Sequence, residues 1–346
     1  MSAVFPQILI ETIVRKAIRD IQDSPKRNTR NLVDMALNFS EGRFQSRFFE
    51  MAQSMLQDEN SAYYRLIPDM AVNVDTEKII HFGINLGYNS CTAGAKKIRA
   101  LEKKEKFNIP WCISLIISET EYEKHEKEYL RVLEQGKRLG IYTWMLYAPG
   151  SIEKSLELAR QSPEAAFVIY CSPDQITDAM LDEAEDILNV MFAVRYGEGA
   201  EEACRLLRFR NFLYSVSYIY EEADADHIFK DGILEEIEIL HPVFTGFLGD
   251  ESCGEKARKA VYQKIIRLRK EQRYPTVLWD IVNDSRFIDG IISEDACGAV
   301  FNGEGYFFHA YGEGLQKEYN IFRQPLAEIL KQAFPKTKNC MESLAG

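Results

Sequence analysis

The sequence predicts an α/β protein: a (β/α) TIM-type barrel, complete or partly open, with an N-terminal helical layer and a C-terminal β-hairpin and helix extension. Three observations predict it. After Thr76, short apolar runs rich in β-branched and aromatic residues alternate with amphipathic stretches, the pattern of a parallel sheet with helical crossovers. Eight such runs match the unit count of a barrel. Before Thr76 the apolar residues recur at three- and four-residue spacing, as on one face of a helix. An open doubly wound sheet accounts for the same alternation and stays as an alternative.

Taken in order, Ile8, Ile13, Ala17 and Ile21, then Leu32, Met35, Ala36 and Phe39, mark two N-terminal helices, with a break at Ser24-Pro25. Ser40-Glu41-Gly42 separates them from a third helix over Gln45–Gln57. The predicted strands are Ile79–Leu86, Cys112–Ser118, Ile141–Tyr147, Ala166–Cys171, Leu188–Val194, Leu213–Tyr220, Ile237–Val243 and Thr276–Ile281. Helices are expected between most of them, at Glu123–Leu139, Ile152–Arg160, Thr177–Ile187, Glu198–Leu207 and Glu255–Glu271. Past these, Asn302-Gly303 predicts a tight hairpin, because both residues tolerate positive φ. The domain limits read as 1–75, 76–285 and 286–346.

The 346 residues can bury a large core. A net charge of −11 argues against wrapping nucleic acid. No apolar stretch of about 20 residues could cross a bilayer, and Met1–Asp20 has no secretory pattern, so a cytoplasmic location is expected. The seven cysteines are odd in number and never form a Cys-x2-Cys pair, which signals neither a disulfide framework nor a zinc ribbon. None of the five histidines has helical metal-binding spacing, and no metal site is expected.

In a barrel, chemistry sits at the C-terminal ends of the strands. The residues following the runs therefore matter: Ser118 to Tyr122, Ser172 to Asp174 and Glu221 to His227 among them. His241, beside Glu238, could form an acid–imidazole group with Asp224, Asp226 and His227; the default reading is a hydrogen-bonded loop histidine. The acidic run Glu221–Asp226 reads as a solvated loop. Tyr306, Phe307, Phe308 and Tyr311 divide between core and an aromatic edge that could receive a peptide strand.

The run Ile84-Asn85-Leu86-Gly87-Tyr88-Asn89-Ser90-Cys91-Thr92-Ala93-Gly94 resembles the first strand and cluster loop of the radical S-adenosylmethionine (SAM) superfamily. That family holds a [4Fe-4S] cluster with Cys-x3-Cys-x2-Cys, and such sites use thiolates. Here Gly87 and Gly94 stand at the first and third cysteine positions, with Cys91 at the second. Ser118-Glu119-Thr120-Glu121 occupies the place of the family's Gly-Gly-Glu-type turn. Cys297 and the Asn302-Gly303 turn resemble an auxiliary-cluster extension, with Phe308 and His309 at its second cysteine. The resemblance covers about Lys78 to Leu330 and implies a SAM-like pocket built from Asn89, Cys91, Glu119, Ser172 and Asp174.

Three functions follow as expectations. The first is a non-catalytic or altered homologue that binds a nucleoside-like small molecule or a peptide, with SAM as its candidate cofactor and no [4Fe-4S] cluster. The second is a cluster-free lyase or isomerase using Glu119, Glu121 or His241 as acid and base. The third is an iron–sulfur site with unusual ligands, Cys91 together with Cys112 or Cys297.

Overall fold

The computed structural model describes residues 4–21, 24–38, 50–225, 227–230, 232–293, 295–312 and 314–336. The expected break at Ser40-Glu41-Gly42 lies outside them. Helices α1 (Val4–Ile21), α2 (Pro25–Asn38), α3 (Tyr63–Asn73) and α4 (Thr76–Ile84) come first, and residues 50–55 are also helical. A π-helical segment, Asn85–Gly94, continues α4 into α5 (Ala95–Glu105).

The sheet begins only at Cys112. Its units are β1 (Cys112–Ile116), α6 (Glu119–Leu139), β2 (Thr143–Tyr147), α7 (Ile152–Gln161), β3 (Ala166–Cys171), α8 (Asp178–Ala184) and β4 (Val190–Arg195). Then come α9 (Ala200–Phe209), β5 (Tyr214–Tyr220), α10 (Ile233–Ile239), β6 (Phe244–Gly249), α11 (Glu255–Glu271), β7 (Val277–Asp280) and α12 (Ile281–Ile292). The tail adds β8 (Ala299–Phe301), β9 (Tyr306–His309), β10 (Leu315–Asn320) and α13 (Leu326–Ala333).

Ten strands form one sheet in the order β10-β9-β8-β1-β2-β3-β4-β5-β6-β7. Strands β1 to β7 are parallel and lie in chain order, which differs from a doubly wound sheet, where the order reverses. β8 joins β1 in parallel on its other side, and β9 and β10 follow antiparallel. The sheet is open, with β10 and β7 at its edges. It is nonetheless curled: Leu248 of β6 lines the same cavity as Ser114 of β1. Five strand spacings on a flat sheet would separate them by roughly 24 Å.

Alternation along the strands separates two packing faces. Ile113, Leu115, Trp144, Leu146, Phe167 and Ile169 belong to one core with the crossover helices. On the other face Val168, Met191 and Ala193 pack against Ile18 and Ile21 of α1 and Ile80, Phe82 and Ile84 of the α4 region. The N-terminal helical layer thus covers part of the inner face. Arg15 of α1 bonds Glu77 of α4 (Nη2 to Oε2, 2.9 Å).

Two predicted strands are helical. Ile79–Leu86 lies in α4 and the start of the π segment, because the Asp75 carboxylate accepts from the Glu77 and Lys78 amides (2.8 and 3.0 Å) and starts a helix there. Its isoleucines pack between other helices and the sheet instead of entering it. Ile237–Val243 lies in α10 and the turn after it, and the strand begins at Phe244. The eighth parallel strand comes from the tail instead. The Asn302-Gly303 hairpin forms as expected between β8 and β9, with the Gly305 amide donating to Asn302 O and Gly305 at φ +82°.

Candidate functional site

A cavity of about 210 Å³ runs along the inner face of β1 and β2. Ser114 and Ile116 of β1, Met145 and Tyr147 of β2, and Val300 of β8 form one side. Ile281, Val282 and Ser285 of α12, with Leu248 and Tyr311, form the other. No lining residue is charged. At the mouth the Tyr147 and Tyr170 rings stack with centroids 4.4 Å apart and planes within 6°. Burial raises the pKa of both phenols, so both stay protonated at neutral pH. Exposed Arg195 ends β4 nearby in the sheet, with no ion-pair partner among the described residues.

Helix α12 closes the cavity and is firmly held. Asp280 caps its start, accepting from the Val282 and Asn283 amides at 3.1 and 2.7 Å. Asp284, buried at 4% exposure, takes both Arg269 nitrogens at 3.1 and 2.9 Å and the Asp280 amide at 2.8 Å. One turn on, Asp289 accepts from Tyr311 Oη at 2.8 Å and the Trp111 amide at 3.2 Å. Within the cavity wall, the Ser285 hydroxyl is buried and has no hydrogen-bond partner.

Burial pushes the Asp289 carboxyl up to about 7, although three hydrogen-bond donors pull the other way. Between its ordinary value and 7, the unfolded chain gives up a proton that the folded chain keeps. The favourable contribution is therefore complete below about pH 4 and is lost as pH rises through 7, a change of up to about 4 kcal/mol. Asp289→Asn removes that titration. We expect the stability gap between wild type and this variant to shift in the variant's favour from pH 5 to pH 8, measured by urea unfolding across that range. A gap that stays constant would contradict the assignment.

The sequence-predicted residues fall at two opposite ends of the sheet. Asn89 and Cys91 lie at the N-terminal end. Asn85 and Asn89 donate to the carbonyls of Pro163, Ala165 and Glu164, just before β3, and Ser90 bonds Thr143, the first residue of β2 (2.9 Å). Glu119, Glu121, Ser172 and Asp174 lie at the C-terminal end, after β1 and β3. There Ser172 bonds Gln175, whose amide reaches Ala148 O at 2.9 Å and latches the turn after β3 to the turn after β2. Glu119 and Asp174 are exposed. Glu121 bonds Lys124 at 2.7 Å, which lowers its pKa and favours the carboxylate.

His241 is exposed, at φ +52° in the turn before β6, again at the N-terminal end. The structure therefore does not bring it together with Glu119 or Glu121. Asp224 and His227 follow β5 at the other end, so they do not meet His241 either, and Asp226 lies outside the described residues. Sequence reasoning missed α12 as a cavity wall, with Ser285 and Asp289. The signal was present in the Asp280-x3-Asp284 spacing, which caps a helix directly after a strand.

The residues present do not fit a [4Fe-4S] cluster. Cys91, Cys112, Cys171, Cys204, Cys253 and Cys297 are buried and lie on six different elements or turns. Burial pushes the Cys91 and Cys204 thiols up to about 12 and Cys112 and Cys297 well above their ordinary value, which opposes the thiolate that iron needs. Among the described residues no group of three His, Cys, Asp or Glu side chains could hold a metal ion. Cys340 lies outside them. Also among the described residues, no helix is long and apolar enough to cross a membrane.

The elements thus define a curled, open β/α sheet with a neutral cavity under its C-terminal rim. No family model matches the chain, and no curated protein matches it. Similar solved structures include SuiB of Streptococcus suis bound to S-adenosylmethionine, with a TM-score of 0.47 and 10% identity, covering 69% of this chain and 67% of that one. Native anSMEcpe with bound AdoMet has a TM-score of 0.42 and 11% identity over 65% of this chain and 83% of that one. The same protein with bound AdoMet and Cp18Cys peptide has a TM-score of 0.40 and 12% identity over 67% and 86%.

Proposed function

We propose that this chain is a radical-SAM-like partial barrel that works as a binding protein. It takes part of a nucleoside-like small molecule or of a peptide into the cavity between β1, β2, β8 and α12, without iron–sulfur chemistry. The observation that carries this reading is the lining, which has no charged residue. SAM carries an ammonium, a sulfonium and a carboxylate, and each would lose hydration there without a partner, at a cost of several kcal/mol. A neutral ring or side chain pays no such cost. The placement of Cys91 beyond the N-terminal end of β2, with its thiol protonated, also supports a cluster-free role.

The reading leaves the charged part of a ligand at the mouth, where Arg195 is exposed and the stacked tyrosines form a flat wall. It is tested by calorimetric titration of iron-free protein with adenosine, SAM and short peptides bearing one apolar side chain. The expected result is saturable binding of adenosine or the peptides, with SAM no tighter than adenosine. Binding of SAM that appears only after iron and sulfide are added would overturn it.

A further inference from the structure

We infer that the cavity is a selective site for a neutral, mostly apolar ring with one hydrogen-bonding group, of the indole or phenol class, with Ser285 as its polar anchor. This rests on the binding role proposed above and names the ligand chemistry of the same site. At about 210 Å³ the space falls below the range of about 300–1,000 Å³ that holds whole drug-sized ligands. It exceeds the 150 Å³ or so of an apolar cavity that takes up benzene. One or two fused rings fit; a whole nucleoside does not.

The polar atoms decide which ring. Ser285 is 5% exposed, lines the space and has no hydrogen-bond partner, and a buried hydroxyl left unpaired is unfavourable. Tyr311 is already committed to Asp289 at 2.8 Å. Ile116, Met145, Leu248, Ile281 and Val300 supply apolar contact. A purine presents several donors and acceptors to such a wall and leaves most of them unmatched. An indole or phenol presents a single polar group, which the Ser285 hydroxyl can meet.

The test is calorimetry with indole, benzene and adenine as probes, on wild type, Ser285→Ala and Val300→Phe. Wild type should bind indole more tightly than adenine. Ser285→Ala should weaken indole about fivefold, the worth of one neutral hydrogen bond, and leave benzene unweakened. Val300→Phe, which fills the space, should abolish both, with thermal melting of each variant confirming that it is folded. No saturable indole binding to wild type, tighter binding of adenine than of indole, or an unchanged indole affinity in Ser285→Ala would overturn the inference. If adenosine or a peptide binds while indole does not, this inference falls and the binding role stands. If indole binds as expected but the protein also assembles a cluster, the cluster-free role falls and the ring site stands.

Discussion

Arg269→Met is expected to destabilise the protein by about 3–5 kcal/mol, the cost of leaving a buried carboxylate without its partner. Asp284 is 4% exposed and takes two guanidinium nitrogens from Arg269. Its remaining partners are the Asp280 amide at 2.8 Å and Tyr262 Oη at 3.3 Å, too few to replace a full positive charge. The double variant Arg269→Met with Asp284→Asn should recover a large part of the loss, since it removes the buried charge as well. Urea unfolding of the three proteins measures this. If the single variant loses less than about 1 kcal/mol, the pair behaves as a surface ion pair and the anchoring of α12 has been misread. Because Asp284 also holds the first amide of the Asp280 cap, the single variant should loosen the wall that carries Ser285.

The second large effect lies at Gly94. A Cβ there would run into the Gly140 carbonyl oxygen and come within 2.7 Å of the Asn89 carbonyl oxygen, both backbone atoms. Gly94→Cys is therefore expected to cost about 3 kcal/mol, at the upper end of overpacking. At Gly87 nothing lies within 4 Å of the added atom, so Gly87→Cys should change stability by less than about 0.5 kcal/mol. The contrast has a functional edge. Writing cysteines at both positions completes a Cys-x3-Cys-x2-Cys sequence, yet on this backbone the three lie in a π helix that packs against the start of β2 and β3. The double variant should gain no iron. Gly94→Cys as stable as wild type would show that the π segment is not packed as described.

Much of the sheet is readable from the sequence because β2 to β5 are continuous apolar runs bounded by helix-forming stretches. Ala166–Cys171 and the helix Glu255–Glu271 have the predicted limits. Ile79–Leu86 was not readable as helix by composition, since a short run with isoleucines suits a buried strand as well as a buried helix. Asp75 and the packing of Ile80 and Ile84 on the sheet settle it as helix. The run Ile237–Val243 failed for the same reason, a short apolar segment beside a true strand. The cavity was less legible than the fold. Its walls come from β1, β2, β6, β8 and α12, which no local pattern joins, and it exists because the tail strand β8 pairs with β1. Ser285 has no sequence signature at all.

The measurement that tests the central claim most directly is iron and acid-labile sulfide content after anaerobic reconstitution of the whole chain. A cluster-free barrel with buried, protonated cysteines on separate elements predicts iron and sulfide at background, far below one cluster per chain. Near-stoichiometric amounts, about four of each per chain, would contradict it and return the protein to iron–sulfur chemistry with unusual ligands.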